Sequence, residues 1–342
     1  RNNTADIREV KLQPLYLKKY TEVDLSATVL GRTYSAPFGI APIGLQGLVW
    51  PGAPEILARA AFAHNIPFIL STVTTASIEK ISAITEGNAW FQLYYPAEKE
   101  VTDNILQRLE SSGYKVLVML ADVPSFGYRP KEIRNGLAMP PRMTLRNMLQ
   151  IAGKPGWAMR TLLHGKPEFA TLRPYMHKGM NMHHLGLFMN RTFNGRLDED
   201  KIGYIRDRWK GKLVLKGVAS ESDAESAVRL GVDGLIVSNH GGRQLDAGES
   251  SIHSLKNIAG SKNIHTTLMM DSGLRSGPDI ARTLACGAQF TFLGRAFMYG
   301  VAALGNEGAN HTISILKKQL QQVMEQVNCH HVSELPDRLI RN

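Results

Sequence analysis

Residues 238–244 read Ser-Asn-His-Gly-Gly-Arg-Gln and directly follow the apolar run Gly234-Leu235-Ile236-Val237. A buried strand that ends in a histidine, two glycines and an arginine can do chemistry. The imidazole of His240 moves a proton near neutral pH. Arg243, three residues on, can hold an anion by a two-point fork. Gly241 and Gly242 let a planar ligand approach the backbone. Proton transfer beside carboxylate capture suits an enzyme acting on a small organic acid. It requires a rigid frame, a cofactor site and a second anion clamp.

The frame is read from short apolar runs that alternate with amphipathic stretches. Eight such runs lie at 38–43, 67–72, 89–95, 116–123, 213–218, 234–240, 267–271 and 290–294. They are rich in Val, Ile, Leu and Phe and poor in charge, as strands buried on both faces must be. Helical patterns at 53–64, 77–85, 99–112, 220–230, 276–286 and 309–327 fall between most of them. This alternation predicts an α/β fold, a single (β/α)8 barrel over 1–342 rather than an open doubly wound sheet. One connection breaks the rhythm: roughly 90 residues separate the fourth run from the fifth, far more than a barrel needs.

In a barrel the strand tips line the active site. Here they carry Ala41-Pro42-Ile43-Gly44, Ser71-Thr72, Gln92-Leu93-Tyr94, Asp122-Val123-Pro124 with Arg129 shortly after, Lys216-Gly217, Ser238-Asn239-His240, Asp271-Ser272-Gly273-Leu274-Arg275 and Gly294-Arg295. Gly273, Arg275, Gly294 and Arg295 follow the last two strands, where barrels commonly cradle a phosphate on backbone N–H groups. The alternative for Arg295 is that it only starts a surface helix. Lys216, aimed into a barrel mouth, suits a site where negative charge develops, or else pairs with a neighbouring carboxylate. Asp122, an acid inside an apolar strand, can orient a histidine and stabilise its imidazolium, or serve as a structural carboxylate. The remaining histidines carry no metal-ligand spacing, and no metal site is expected.

Composition narrows the class. The two cysteines, Cys286 and Cys329, exclude a disulfide framework and fit a reducing, cytoplasmic compartment. No apolar run reaches the ~20 residues of a spanning helix. No signal peptide is evident, although the chain opens abruptly at Arg1-Asn2-Asn3. The net charge of +10 is uneven: between 142 and 196 stand nine Lys and Arg residues against one acid, Glu168. That segment holds seven of the 13 methionines and three X-Pro breaks, at Pro155, Pro167 and Pro174, so it is not one long helix. The charge prompts a nucleic-acid reading, but no nucleic-acid module is recognisable and none is expected as a partner.

Residues 238–244 resemble the signature of the FMN-dependent L-2-hydroxy acid dehydrogenases and oxidases, which include glycolate oxidase, lactate dehydrogenase and mandelate dehydrogenase. The resemblance spans nearly the whole chain. It takes in Gly39-Ile40-Ala41-Pro42, Phe91-Gln92-Leu93-Tyr94, Asp122-Val123-Pro124, Arg134-Asn135-Gly136, Leu215-Lys216-Gly217, Asp271-Ser272-Gly273 and Leu293-Gly294-Arg295. It implies a flavin-bearing barrel, usually tetrameric. His240 would be the catalytic base and Asp122 its partner. Arg129 and Arg243 would clamp the substrate carboxylate, and Tyr94 would hydrogen-bond the substrate. Lys216 would stabilise the reduced flavin. Ala41, Pro42, Ile43, Gly44, Ser71, Gln92 and Ser238 would contact the cofactor at its ring and ribityl, and Asp271, Gly273, Arg275, Gly294 and Arg295 at its phosphate end.

Three departures accompany the resemblance. The family's second active-site tyrosine lies upstream of where this chain begins. Leu120 stands where a threonine is common, and Pro130 where an acid is frequent. The basic, Met-rich insertion at 137–200 resembles the loop that attaches the mandelate dehydrogenase branch to the inner face of the membrane; the alternative is a solvated flap. The implied reaction is oxidation of a lactate- or mandelate-like 2-hydroxy acid to the 2-oxo acid. Its electrons would pass to a membrane quinone, the alternatives being an oxidase that uses O2 and, more distantly, an FMN-dependent isomerase. The implied mechanism is removal of the hydroxyl proton with loss of the α-hydrogen as hydride, or abstraction of the α-proton.

Overall fold

The computed structural model describes residues 2–19, 22–124, 144–165, 167–176, 188, 192–193, 196–245 and 247–340. A short helix, Asn3–Glu9, comes first, then an antiparallel hairpin, β1 (Ala27–Val29) with β2 (Arg32–Tyr34). Eight parallel strands follow: β3 (Phe38–Ile40), β4 (Ile69–Ser71), β5 (Trp90–Leu93), β6 (Val116–Leu120), β7 (Lys212–Val218), β8 (Gly234–Val237), β9 (Thr267–Met270) and β10 (Phe290–Leu293). Their order in the sheet is β3-β10-β9-β8-β7-β6-β5-β4. A parallel bridge between Ile40 and Phe68, with the Ile40 N–H donating to the Pro67 carbonyl at 2.9 Å, closes β3 onto β4. The chain is the (β/α)8 barrel its patterning predicts.

All the apolar runs but the fifth, 213–218, overshoot their strands at the C-terminal end. The run 234–240, for example, ends as a strand at Val237. The extra residues are the polar tips, where the backbone leaves the ladder and turns toward the barrel mouth. His240 and Ser272 turn there with φ of +56° and +76°.

Helices return the chain between strands. Ile78–Thr85 is capped by the Ser77 side chain and Glu221–Arg229 by Ser220. The helix before β7, Glu199–Arg208, has few apolar residues and no helical periodicity strong enough to predict it. It is set instead by its ends: the Asp198 side chain accepts the Lys201 N–H, acids fill the first turn and arginines the last. Ser251–Gly260 and Arg295–Leu304 are likewise helices beyond the predicted set. In the long connection, Leu145–Ala152 and Pro155–His164 are separate helices, in keeping with the proline breaks.

Large aromatic side chains fill the barrel. Trp90 meets Phe292 edge-on at 5.3 Å, and Phe290 lies 5.5 Å from Phe292. The hairpin seals the N-terminal end: the Tyr34 hydroxyl accepts the Trp90 indole N–H at 3.1 Å, and the Tyr34 ring packs on Phe290. Burial on this scale makes the barrel a rigid mount for its tips.

Candidate active site

The tips of β6, β7 and β8 bring three ionisable groups together. Asp122 follows β6, and its Oδ1 lies 3.0 Å from Nδ1 of His240. Gly217, on β7, makes that approach possible. Its φ is +96°, and a Cβ there would meet the Asp122 Cβ at 2.6 Å and its backbone nitrogen at 2.7 Å. Only glycine lets the β6 tip come so near the β7 backbone.

Lys216 precedes that glycine and is 3% exposed. Its ammonium donates to Ser238 Oγ and pairs with Asp271 Oδ2, both at 2.9 Å. Burial alone would lower its pKa; the Asp271 and Asp122 carboxylates outweigh burial and raise it. Burial alone would likewise raise the Asp122 pKa, and Lys216 first, then His240, reverse that and hold it below the usual carboxylate range. Asp122 is therefore a carboxylate at neutral pH, and Nδ1 of His240 donates to it. Lys216 is paired with a carboxylate, and that carboxylate, Asp271, itself belongs to a strand tip, the one after β9.

The loop after β8 is tightly determined. Ser238 Oγ accepts the His240 N–H at 3.1 Å, and Ser272 Oγ accepts the Gly241 N–H at 2.9 Å. Asn239 Oδ1 accepts the Gly242 N–H at 3.0 Å. A non-glycine residue in the left-handed region costs about 1–2 kcal/mol, and these bonds hold His240 there. In the sequence Asn239 and Ser272 are only members of their strand tips, with no role of their own, and Asn3 and Thr4 near the N-terminus are not singled out. Their roles arise from bonds between residues far apart in the chain, and no local pattern announces them.

Two further groups frame the mouth. At β4 and β5, Ser71 Oγ donates to Gln92 Oε1 at 3.0 Å, leaving Gln92 Nε2 buried with no protein partner. Beyond Gln92, Tyr94 lies edge-on to Phe193 at 6.1 Å, within an apolar cluster of Phe169, Leu172 and Phe193 packed against Leu45 and Val73. At β9 and β10, burial and then the nearby Arg295 lower the pKa of Arg275. Arg295 does begin a helix, Arg295–Leu304, but its guanidinium also turns back to donate to the Gly241 carbonyl at 2.9 Å. Arg275 and Arg295 thus lie near each other at the N-terminus of a ten-residue helix, where positive charge and free N–H groups favour an anion.

Ala41, Pro42, Ile43 and Gly44 form the tip after β3, and Gly294 lies against Ala41 and Ile43. Arg243 is exposed on the loop after His240. Leu120 ends β6 and is buried. Arg129, Pro130, residues 134–136 and parts of 137–200 (137–143, 166, 177–187, 189–191 and 194–195) lie outside the described residues. Among the described residues, no group of His, Cys, Asp or Glu could hold a metal ion.

Comparison with known proteins follows this geometry. The chain is 36% identical over 332 residues to a putative L-lactate dehydrogenase of Mycobacterium tuberculosis, covering 97% of this chain and 79% of that one. It is 35% identical over 336 residues to the L-lactate dehydrogenase of Xanthomonas euvesicatoria, covering 98% and 86%. Among solved structures it is similar to the monotopic membrane protein (S)-mandelate dehydrogenase, with a TM-score of 0.93 and 33% identity over 100% of this chain and 90% of that one. A mandelate oxidase is also similar, with a TM-score of 0.82 and 28% identity over 99% and 88%. The model of the FMN-dependent dehydrogenase family matches residues 1–342, and the chain belongs to that family.

Proposed function

We propose that the chain oxidises an L-2-hydroxy acid, lactate- or mandelate-like, to the 2-oxo acid, with His240 as its base. FMN is the family's cofactor, and the residues present fit it. The buried, unpartnered Gln92 Nε2 is a donor awaiting a ring acceptor. The buried Lys216 supplies a positive charge at the same mouth. The Arg275 and Arg295 pair is suited to a phosphate. In this reading Ala41, Pro42, Ile43, Gly44, Ser71, Gln92, Lys216 and Ser238 hold the ring and ribityl. Asp271, Gly273, Arg275, Gly294 and Arg295 hold the phosphate end. Bound there, FMN supplies a two-electron acceptor.

The observation that carries the reading is the 3.0 Å His240–Asp122 pair. Because Nδ1 donates to Asp122, the lone pair is left on Nε2, which takes a proton from the substrate. Asp122, held ionised, stabilises the imidazolium that forms. The same base serves either route: it takes the hydroxyl proton if the α-hydrogen leaves with its electron pair, or the α-proton if it leaves without. Arg243 and Arg129 hold the substrate carboxylate, and Tyr94 hydrogen-bonds the substrate. The test is anaerobic bleaching of the flavin by L-lactate and (S)-mandelate in wild type and His240→Gln.

For the electron acceptor the reading is a membrane quinone rather than O2. Leu145, Leu149, Leu162 and Leu163 are each at least 74% exposed on the two helices of the long connection. Lys154 stands between those helices and Arg160 within the second. Exposed leucines beside cations suit an anionic membrane surface. The Trp157 indole donates to the Val49 carbonyl at 3.0 Å and ties this segment to the loop after β3. Among the described residues, no helix is long and apolar enough to cross a membrane.

A further inference from the structure

We propose that Asn3 and Thr4 clamp the tips of β8 and β9, acting as positioning residues for His240 and for the cofactor loop after β9. The inference rests on the reading of His240 as base and of 271–275 as cofactor-binding.

The clamp begins with a reciprocal amide pair across 236 residues of chain. Asn3 Nδ2 donates to Asn239 Oδ1, and Asn239 Nδ2 donates to Asn3 Oδ1, both at 2.7 Å. Asn239 is the residue before His240, and each of its polar atoms is engaged in this corner. Its N–H donates to Ser251 Oγ at 3.1 Å, its Nδ2 also donates to the Glu249 carbonyl at 3.0 Å, and its Oδ1 accepts the Gly242 N–H. Asn3 Oδ1 accepts the Ser251 N–H at 3.2 Å as well. Without Asn3, Nδ2 and Oδ1 of Asn239 each lose one of two partners, beside a residue whose φ of +56° persists only if its surroundings fix it.

The next residue reaches the neighbouring tip. Thr4 Oγ1 donates to the Gly273 carbonyl at 2.6 Å. Gly273 has a φ of +94°, and a Cβ there would lie 2.7 Å from the Asn3 Cβ and 2.9 Å from its backbone carbon, so the two segments of the chain touch backbone to backbone. Gly273 lies between Ser272, which bonds the Gly241 N–H, and Arg275. Asn3 and Thr4 thus join the loop of the base to the loop of the cofactor. Their own helix, Asn3–Glu9, is seated by fully buried Ile7, and the Val10 carbonyl after it accepts the Arg282 guanidinium at 3.1 Å.

The test uses the FMN-loaded enzyme. Asn3→Ala is expected to slow flavin reduction at saturating substrate about tenfold with little change in KM, since a misplaced base loses rate more than binding. Asn239→Ala is expected to match it, and the double variant to be no slower than either, because the two residues act as one unit. Thr4→Val is expected to speed FMN release on dilution. Glu9→Ala, exposed on the same helix, is the control and leaves both readouts unchanged. If Asn3→Ala does not fold, Asn3→Asp, which keeps Oδ1 for the Ser251 N–H, is expected to show a smaller loss of rate. A lower melting temperature with wild-type rate and FMN release in the Asn3 and Thr4 variants would overturn the clamp, as would additive losses in the double variant. A wild-type rate in His240→Gln would instead overturn the reading of the base, and the clamp on the cofactor loop would then stand or fall on FMN release.

Discussion

At the scale of single residues, the site depends on charges that stabilise one another away from water. Asp122 and Asp271 both lie beside Lys216, and the ammonium, then His240, offsets the cost of burial that would otherwise neutralise Asp122. Asp122→Asn keeps the shape of the side chain and removes its charge. In that variant the imidazolium loses its counter-ion, and the rate of flavin reduction in stopped flow is expected to fall by roughly 10²–10⁴-fold. The same residue has a pH signature. Its folded pKa lies below the usual carboxylate range, so its contribution to stability is complete above about pH 4 and is lost as pH falls through the depressed folded value. Urea unfolding of wild type should weaken over that acid window, and Asp122→Asn should weaken less.

At the scale of elements, the sequence carried the barrel because parallel strands buried on both faces leave a plain apolar signature. It carried the tips because polar residues end those runs. The helix Glu199–Arg208 was not legible, since caps and end charges rather than a periodic apolar face define it. The hairpin β1–β2 was missed for a related reason: three-residue strands are too short to show alternation. Partners such as Asn3 and Thr4 were invisible because they depend on segments distant in the chain meeting. The apolar cluster of Phe169, Leu172 and Phe193 is another case, since folding alone brings it onto Tyr94. That contact links the long connection to the site. Removing the Phe193 ring in Phe193→Ala takes away an edge-on partner worth about 0.5–1.5 kcal/mol beyond burial. The expected result is a several-fold rise in KM for the 2-hydroxy acid with a smaller change in kcat. An unchanged KM would mean that Tyr94 is held without it.

At the scale of the whole molecule, one end of the barrel is sealed by aromatic packing and the other carries every candidate catalytic group. The basic, Met-rich connection follows β6 on that second side, and its exposed leucines are the basis of the proposed membrane surface. Leu149→Glu with Leu162→Glu should abolish co-flotation with anionic vesicles while anaerobic flavin reduction in solution stays within about twofold of wild type. Retained flotation would assign the segment to a solvated flap. The central claim is that His240, oriented by Asp122, is the base for oxidation of a 2-hydroxy acid. Its most direct measurement is the anaerobic rate of FMN bleaching by L-lactate and (S)-mandelate in wild type and His240→Gln, with both proteins retaining FMN. The account predicts prompt bleaching in wild type and a loss of at least about 10²-fold in the variant. Bleaching of His240→Gln at the wild-type rate would contradict it.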